Sequence, residues 1–129
     1  MIDCSAMVHL LTDHGPTGHA VRDRIAGLTS LVAPGLLDYE IASALLGLLR
    51  GRKVTAAVAD KAVSDYRRLP VTRHETLVLW DRVRELNHNV GAYDAQYVAL
   101  AETIGLPLIT SDARIGRGGA ARCRIETFA

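Results

Sequence analysis

A three-layer α/β sandwich, with a central and mainly parallel sheet flanked by helices, is the fold class that three observations predict. Short apolar runs that read as strands alternate with longer stretches of helical periodicity, in the succession strand, helices, strand, helices, strand, helices, strand, strand. The 129 residues suffice for one domain with a real core and not comfortably for two, so a single domain over residues 1–129 is expected. Acidic residues recur where strands end or helices begin, and in open parallel sheets that edge is where ligands bind.

The elements follow in order. Met1 and Ile2 leave room for only a very short first strand before Asp3, and Ala6 to Leu11 reads as a helical turn or two, broken at His14-Gly15. On an extended backbone Ser5 would share a face with Asp3 and orient its carboxylate by a hydrogen bond. Pro16 suits the first turn of a helix carrying Val21, Ile25 and Leu28, ended from Gly27 on. Ser30 to Ala33 is a second strand, and Pro34 leads into the longest helix, Leu36 to Arg52, with Leu37, Ile41, Ala44, Leu45 and Leu48 as its buried stripe and Glu40 on the flank. Asp38, in the first turn, reads as a partner of the helix dipole. After Gly51, Thr55 caps a helix to Arg68 with Val58, Ala62, Val63 and Tyr66 at helical intervals. Leu69 to Thr72 is a third strand, and Glu75 to Asn87 a helix. The stretch Ala92 to Arg114 then carries Asp94 at a helix start, a stop at Gly105 and Pro107, a buried strand from Leu106 to Thr110, and Asp112. Ala113 to Gly119 is a loop or single turn, and Arg122 to Phe128 alternates as a final edge strand.

Composition narrows the function classes. Hydrophobic residues make up 49% and charged residues 22%, which excludes disordered and low-complexity proteins. No segment approaches the roughly 18 apolar residues of a membrane span, and no basic segment leads into an apolar one near Met1. A soluble, cytoplasmic protein without membrane attachment is expected. The formal charge of +1 argues against coating nucleic acid through the overall field. Locally, Arg50, Arg52, Lys53, Lys61, Arg67, Arg68 and Arg73 face only Asp60 and Asp65, and Arg114, Arg117, Arg122 and Arg124 crowd the C-terminus. Such clusters are solvated faces or phosphate contacts. Cys4 and Cys123 are too few for a metal cluster and read as buried thiols in a reducing compartment. The histidines His9, His14, His19, His74 and His88 show no metal-ligand spacing and read as surface or semi-buried residues.

The acids carry the chemistry. A helix from Asp94 travels roughly 16 Å and the strand after it returns roughly 20 Å, so Asp94 and Asp112 should meet at one edge of the sheet. Asp3 falls at the same edge, and Glu40 reaches it from the helix after the second strand. Each alone has a plain structural use, because Asp caps helix starts and turns and a Glu beside an apolar stripe is commonly solvated. Together, four carboxylates in one cleft would repel one another unless cations stood between them. Oxygen-only ligands favour Mg²⁺ or Mn²⁺ over zinc.

This arrangement resembles the PIN-domain nucleases, and within them the VapC-type ribonuclease toxins of bacterial toxin-antitoxin pairs. The resemblance covers essentially the whole chain. It is carried by Asp3-Cys4-Ser5, by the helix Leu37-Asp38-Tyr39-Glu40-Ile41-Ala42, by the specific run from Tyr93-Asp94-Ala95-Gln96-Tyr97 to Glu102, and by Leu108-Ile109-Thr110-Ser111-Asp112. The one departure is a first strand shorter than is usual in the family. The resemblance maps the family's acidic quartet onto Asp3, Glu40, Asp94 and Asp112, with Ser5 and Thr110 orienting it. It implies a PIN-like fold and a Mg²⁺- or Mn²⁺-dependent endoribonuclease, the toxin of a toxin-antitoxin pair, cutting RNA by metal-activated water. Asp3, Asp94 and Asp112 would bind the metal, and Glu40 would bind it or orient the attacking water. The implied partners are an RNA substrate, a cognate antitoxin whose C-terminal segment lies in an apolar groove, and a second copy in a homodimer. Tyr39 or Tyr93 could stack one base.

Other readings compete. A phosphohydrolase working through a covalent aspartyl phosphate would want a second acid two residues after Asp3, where Ser5 stands. A receiver-like signalling domain would want a Lys near the last strand, whereas the only lysines are Lys53 and Lys61. A catalytically inactive PIN fold serving as an interaction or regulatory module is the remaining alternative.

Overall fold

The computed structural model describes residues 1–129. Two parallel ladders form its sheet: β1 (Leu31–Pro34) pairs with β2 (Val71–His74), and β3 (Leu108–Thr110) pairs with β4 (Ile125–Thr127). Residues 1–3 lie between them. Ile2 bridges Ile109 in parallel, its N–H donates to the Val32 carbonyl at 3.2 Å, and the Asp3 N–H donates to the Ile109 carbonyl at 3.1 Å. The order is therefore β2, β1, residues 1–3, β3, β4, with the expected short first strand reduced to one bridge at the centre. Ile2, Ala33, Leu108 and Ile109 are buried, as a parallel sheet covered on both faces requires.

Helices α1 (Cys4–Thr12), α2 (Pro16–Ile25), α3 (Leu36–Arg50) and α4 (Ala56–Arg68) form one group joined through α1, and α5 (Trp80–Leu86) packs on α6 (Ala92–Ile104) in another. Both groups rest on β1 and β3. This is the three-layer α/β arrangement that the sequence predicts. No helix is long and apolar enough to cross a membrane.

Several boundaries differ from the sequence reading, each for a physical reason. The first helix begins at Cys4 because Asp3 caps it, so Ser5 sits on the first helical turn and not on a strand. Pro34 closes β1 instead of opening α3. In α3 the buried stripe is Leu37, Ile41 and Leu45; Ala44 and Leu48 are only half-buried because they line a cavity. In α4 the core face is Ala59, Ala62 and Tyr66, and Val58 and Val63 are exposed. The helix expected over Glu75 to Asn87 is a 3₁₀ turn at Leu77–Leu79 followed by α5, with Leu77 and Val78 exposed. Leu106 does not join β3, because its N–H and that of Gly105, the latter at a φ of 75°, both turn back to the Ala101 carbonyl to close α6. The third strand begins at Val71 and not Leu69, and the last is confined to Ile125–Thr127. The turn after Asp112 is a short helix, α7 (Ala113–Arg117).

Candidate active site

Asp3 is where the central bridge turns into α1, and the residue is only 3% exposed. Its Oδ1 accepts from the Ala6 N–H at 2.9 Å and from the Ser5 hydroxyl at 2.7 Å, and its Oδ2 accepts from the Thr110 hydroxyl. Each hydroxyl therefore spends its one hydrogen on Asp3 and keeps its lone pairs for the chain beyond β3. The Ser111 N–H donates to Ser5 Oγ at 2.8 Å, and the Asp112 N–H donates to Thr110 Oγ1 at 2.9 Å. A buried carboxylate is thus coupled through two hydroxyls to the backbone that carries a second carboxylate. Burial pushes the Asp3 carboxyl above the usual range, these donors pull it back, and the neighbouring Asp112 charge pushes it up again.

The other acids arrive from separate elements. Asp94 stands in the first turn of α6, where the helix N-terminus favours negative charge. No protein group donates to its carboxylate, which burial and then Asp3 and Asp112 push upward. Glu40, on α3, is raised by burial and by Asp94 and Asp3, and is held back by the Tyr97 hydroxyl, which donates to it at 2.7 Å. Asp112 caps α7 by accepting from the Arg114 N–H at 2.9 Å, and the Arg114 guanidinium grips both its oxygens, the closest contact at 2.6 Å. That guanidinium holds the Asp112 carboxyl below the usual range. All four acids line one cavity of about 570 Å³, together with Ser5, His9, Tyr97 and Ser111.

Tyr97 and His9 were not legible as site residues. Tyr97 lies three residues after Asp94 on the same helix, a neighbouring position that points to it, but its ring reads as core. His9, expected as an ordinary semi-buried residue, lies one turn beyond Ser5 with Nδ1 2.8 Å from Ser111 Oγ. The basic residues divide. Arg73 is committed to Asp38 at 2.9 Å, which also accepts from the Tyr66 hydroxyl, so Asp38 serves this pair and not only the helix dipole expected of it. Arg114 stands at the cavity's edge.

As the side chains stand, no three His, Cys, Asp or Glu groups are arranged to enclose a metal ion. The donor chemistry nevertheless fits a hard divalent cation. The charged groups of the cavity are carboxylates, three of them pushed up partly by one another, and a cation relieves that repulsion. The Cys4 thiol is pushed up to about 12 by burial, then by Glu40, Asp3 and Asp94, so it stays protonated and offers no thiolate. Asp94 is free to ligate. Asp112 becomes free once Arg114 swings away, and that side chain is 82% exposed.

A sheet whose carboxyl edge opens on such an acidic cavity defines the class, and comparison with known families agrees with it: the chain belongs to the PIN-domain family, whose model matches residues 1–120. Within that family it is similar over nearly its whole length to proteins of the VapC type. Ribonuclease VapC9 of Mycobacterium tuberculosis is 39% identical over 125 residues, 97% of this chain and 94% of that protein. Ribonuclease VapC3 of the same organism is 40% identical over 117 residues, 91% and 85% of the two chains, and ribonuclease VapC12 is 33% identical over 133 residues, 100% and 98%.

Proposed function

We propose that this protein is a Mg²⁺- or Mn²⁺-dependent endoribonuclease, the toxin of a toxin-antitoxin pair, working in the cytoplasm. The observation that carries the reading is that Asp3, Glu40, Asp94 and Asp112, from four separate stretches of chain, line one cavity. Asp3, Asp94 and Asp112 hold the cation; Glu40 holds it or orients the attacking water. A cation bound there supplies an ionisable water at neutral pH and offsets charge on the in-line transition state. Ser5 and Thr110 fix the Asp3 oxygens and the backbone of Asp112, Tyr97 fixes Glu40, and Arg114 exchanges its hold on Asp112 for a substrate phosphate. The test is incubation of purified protein with total RNA. Cleavage with Mg²⁺ or Mn²⁺ that chelator abolishes is the expected result; cleavage indifferent to chelator would refute it.

The partners belong to the same proposal. A cognate antitoxin inhibits by presenting a basic side chain to the carboxylates, and a second copy forms a homodimer. Exposed Leu77, Val78 and Trp80 supply apolar surface for such contacts. One observation favours the inactive interaction module instead: Arg114 already neutralises Asp112. Absence of cleavage of any RNA in either cation, with tight binding to a small protein partner, would select that alternative.

The pH profile gives a finer check. The Tyr97 hydroxyl stabilises ionised Glu40, so Tyr97→Phe raises the Glu40 carboxyl further. If Glu40 acts ionised, the acid limb of the cleavage profile moves to higher pH in this variant while the plateau rate is largely kept. An unmoved limb would take Glu40 out of the titrating machinery.

A further inference from the structure

We propose that Tyr39 and Tyr93 wall a base-binding subsite for single-stranded RNA beside the acidic cavity, a proposal that rests on the ribonuclease reading above. The chain has four tyrosines, and they divide cleanly. Tyr66 and Tyr97 are buried and spend their hydroxyls on Asp38 and Glu40, each at 2.7 Å. Tyr39 and Tyr93 are 78% and 67% exposed, and neither hydroxyl is tied to a protein group. Each exposed ring immediately precedes a candidate acid on its helix, Tyr39 before Glu40 on α3 and Tyr93 before Asp94 on α6. Successive helical residues are splayed by about 100°, so a ring beside an acid stands at the rim while the acid enters the cleft.

The two rings line one cavity of about 680 Å³, which shares Cys4, Glu40 and Ala44 with the acidic cavity. The compartments adjoin, with Glu40 on the divide. Their chemistry differs. The second holds Leu36, Ser43 and the two phenol rings, and Glu40 is its only charged lining residue. With no basic group there, a phosphate is repelled, whereas a flat neutral ring is matched by the two aromatic faces. A strand whose phosphate enters the acidic cavity would place an adjacent base in this one. Duplex RNA keeps its bases stacked, so the subsite selects unpaired nucleotides.

The test uses an octaribonucleotide carrying one 2-aminopurine, bound in Mg²⁺ to full-length protein carrying Asp112→Asn, a change expected to suppress cleavage because it removes a proposed cation ligand. Tyr39→Ala and Tyr93→Ala are each expected to weaken binding by about 5- to 150-fold, the range of one base-aromatic stack. Tyr39→Phe and Tyr93→Phe keep the ring and bind within about twofold of the parent, a retention the stacking contact predicts. With Asp112 restored, the Ala variants raise KM more than they lower kcat. Thermal unfolding at the parental temperature shows that the exposed substitutions leave the fold intact. Ala variants that bind as the parent does, or Phe variants that lose as much as Ala, would overturn the subsite. So would unchanged RNA binding combined with lost self-association or lost binding to a purified protein partner, which would make the face a protein interface. Normal cleavage with unaltered KM in the Ala variants overturns the subsite and leaves the ribonuclease reading standing; ring-dependent RNA binding by a protein that never cleaves supports the subsite and removes that reading.

Discussion

Asp94→Asn is expected to lower RNA cleavage by about 10²- to 10⁴-fold, because several kcal/mol of cation-dependent stabilisation are lost and each 1.36 kcal/mol is a factor of ten. The same change should make the cation-free protein more stable near neutral pH. The Asp94 carboxyl is pushed up by burial, by Asp3 and by Asp112; it accepts no hydrogen bond from the protein, and only the Arg114 charge offsets part of the push. The folded protein therefore binds this proton more tightly than the unfolded chain, so stability is lost as pH rises from the ordinary carboxylate range through the raised value. Asn avoids that loss. Its advantage appears at neutral pH and vanishes in acid, where wild-type Asp94 is protonated in both states. Added Mg²⁺ reverses the order, stabilising the wild type and not the variant. Equal cleavage by both proteins would remove Asp94 from the chemistry; equal stability at neutral pH would mean that the repulsion is already relieved.

Thr110→Val is expected to have the largest effect on folding. Valine fills nearly the same volume in a fully buried position, but it leaves Asp3 Oδ2 without its donor and the Asp112 N–H without its acceptor. Unpaired buried groups of this kind cost about 1–3 kcal/mol each, so a loss of about 2–6 kcal/mol should appear in urea unfolding. Cleavage should fall by roughly 10²-fold as well, because two carboxylates lose their common anchor. Thr110→Ser keeps both bonds and gives up one methyl, worth about 0.8 kcal/mol, and should retain most of the activity. If Val and Ser behaved alike, the hydroxyl would not be what joins Asp3 to Asp112.

Why some of this was legible from the residues and some was not follows from the range of the forces. The helix from Ala92, its stop at Gly105 and the strand to Thr110 depend on local periodicity and on a glycine at positive φ, and they read directly. So did the meeting of Asp94 and Asp112 at one edge, because strand and helix lengths fix where the chain returns; the placement of Asp3 and Glu40 there rests on their positions at a strand end and on the helix after the second strand. Tyr97 holding Glu40, His9 reaching Ser111 and Arg114 covering Asp112 are contacts of side chains whose sequence patterns have commoner explanations. The 3₁₀ turn at Leu77–Leu79 escaped for a related reason: Leu77 and Trp80 have helical spacing, but Leu77 and Val78 find no core to bury them. In α4 Ala62 and Tyr66 face the core as expected, but Ala59 joins them in place of Val58 and Val63, which shows that apolar spacing alone does not choose between adjacent faces.

The most direct measurement is a crystal of the wild-type protein soaked in Mn²⁺ and measured for anomalous scattering. An anomalous peak within the acidic cavity, at about 2.0–2.6 Å from carboxylate oxygens of Asp94 and at least one of Asp3 and Asp112, with the Arg114 side chain displaced, is the predicted result. A cavity without a peak at saturating Mn²⁺, or Mn²⁺ bound only elsewhere while Arg114 stays on Asp112, would contradict it.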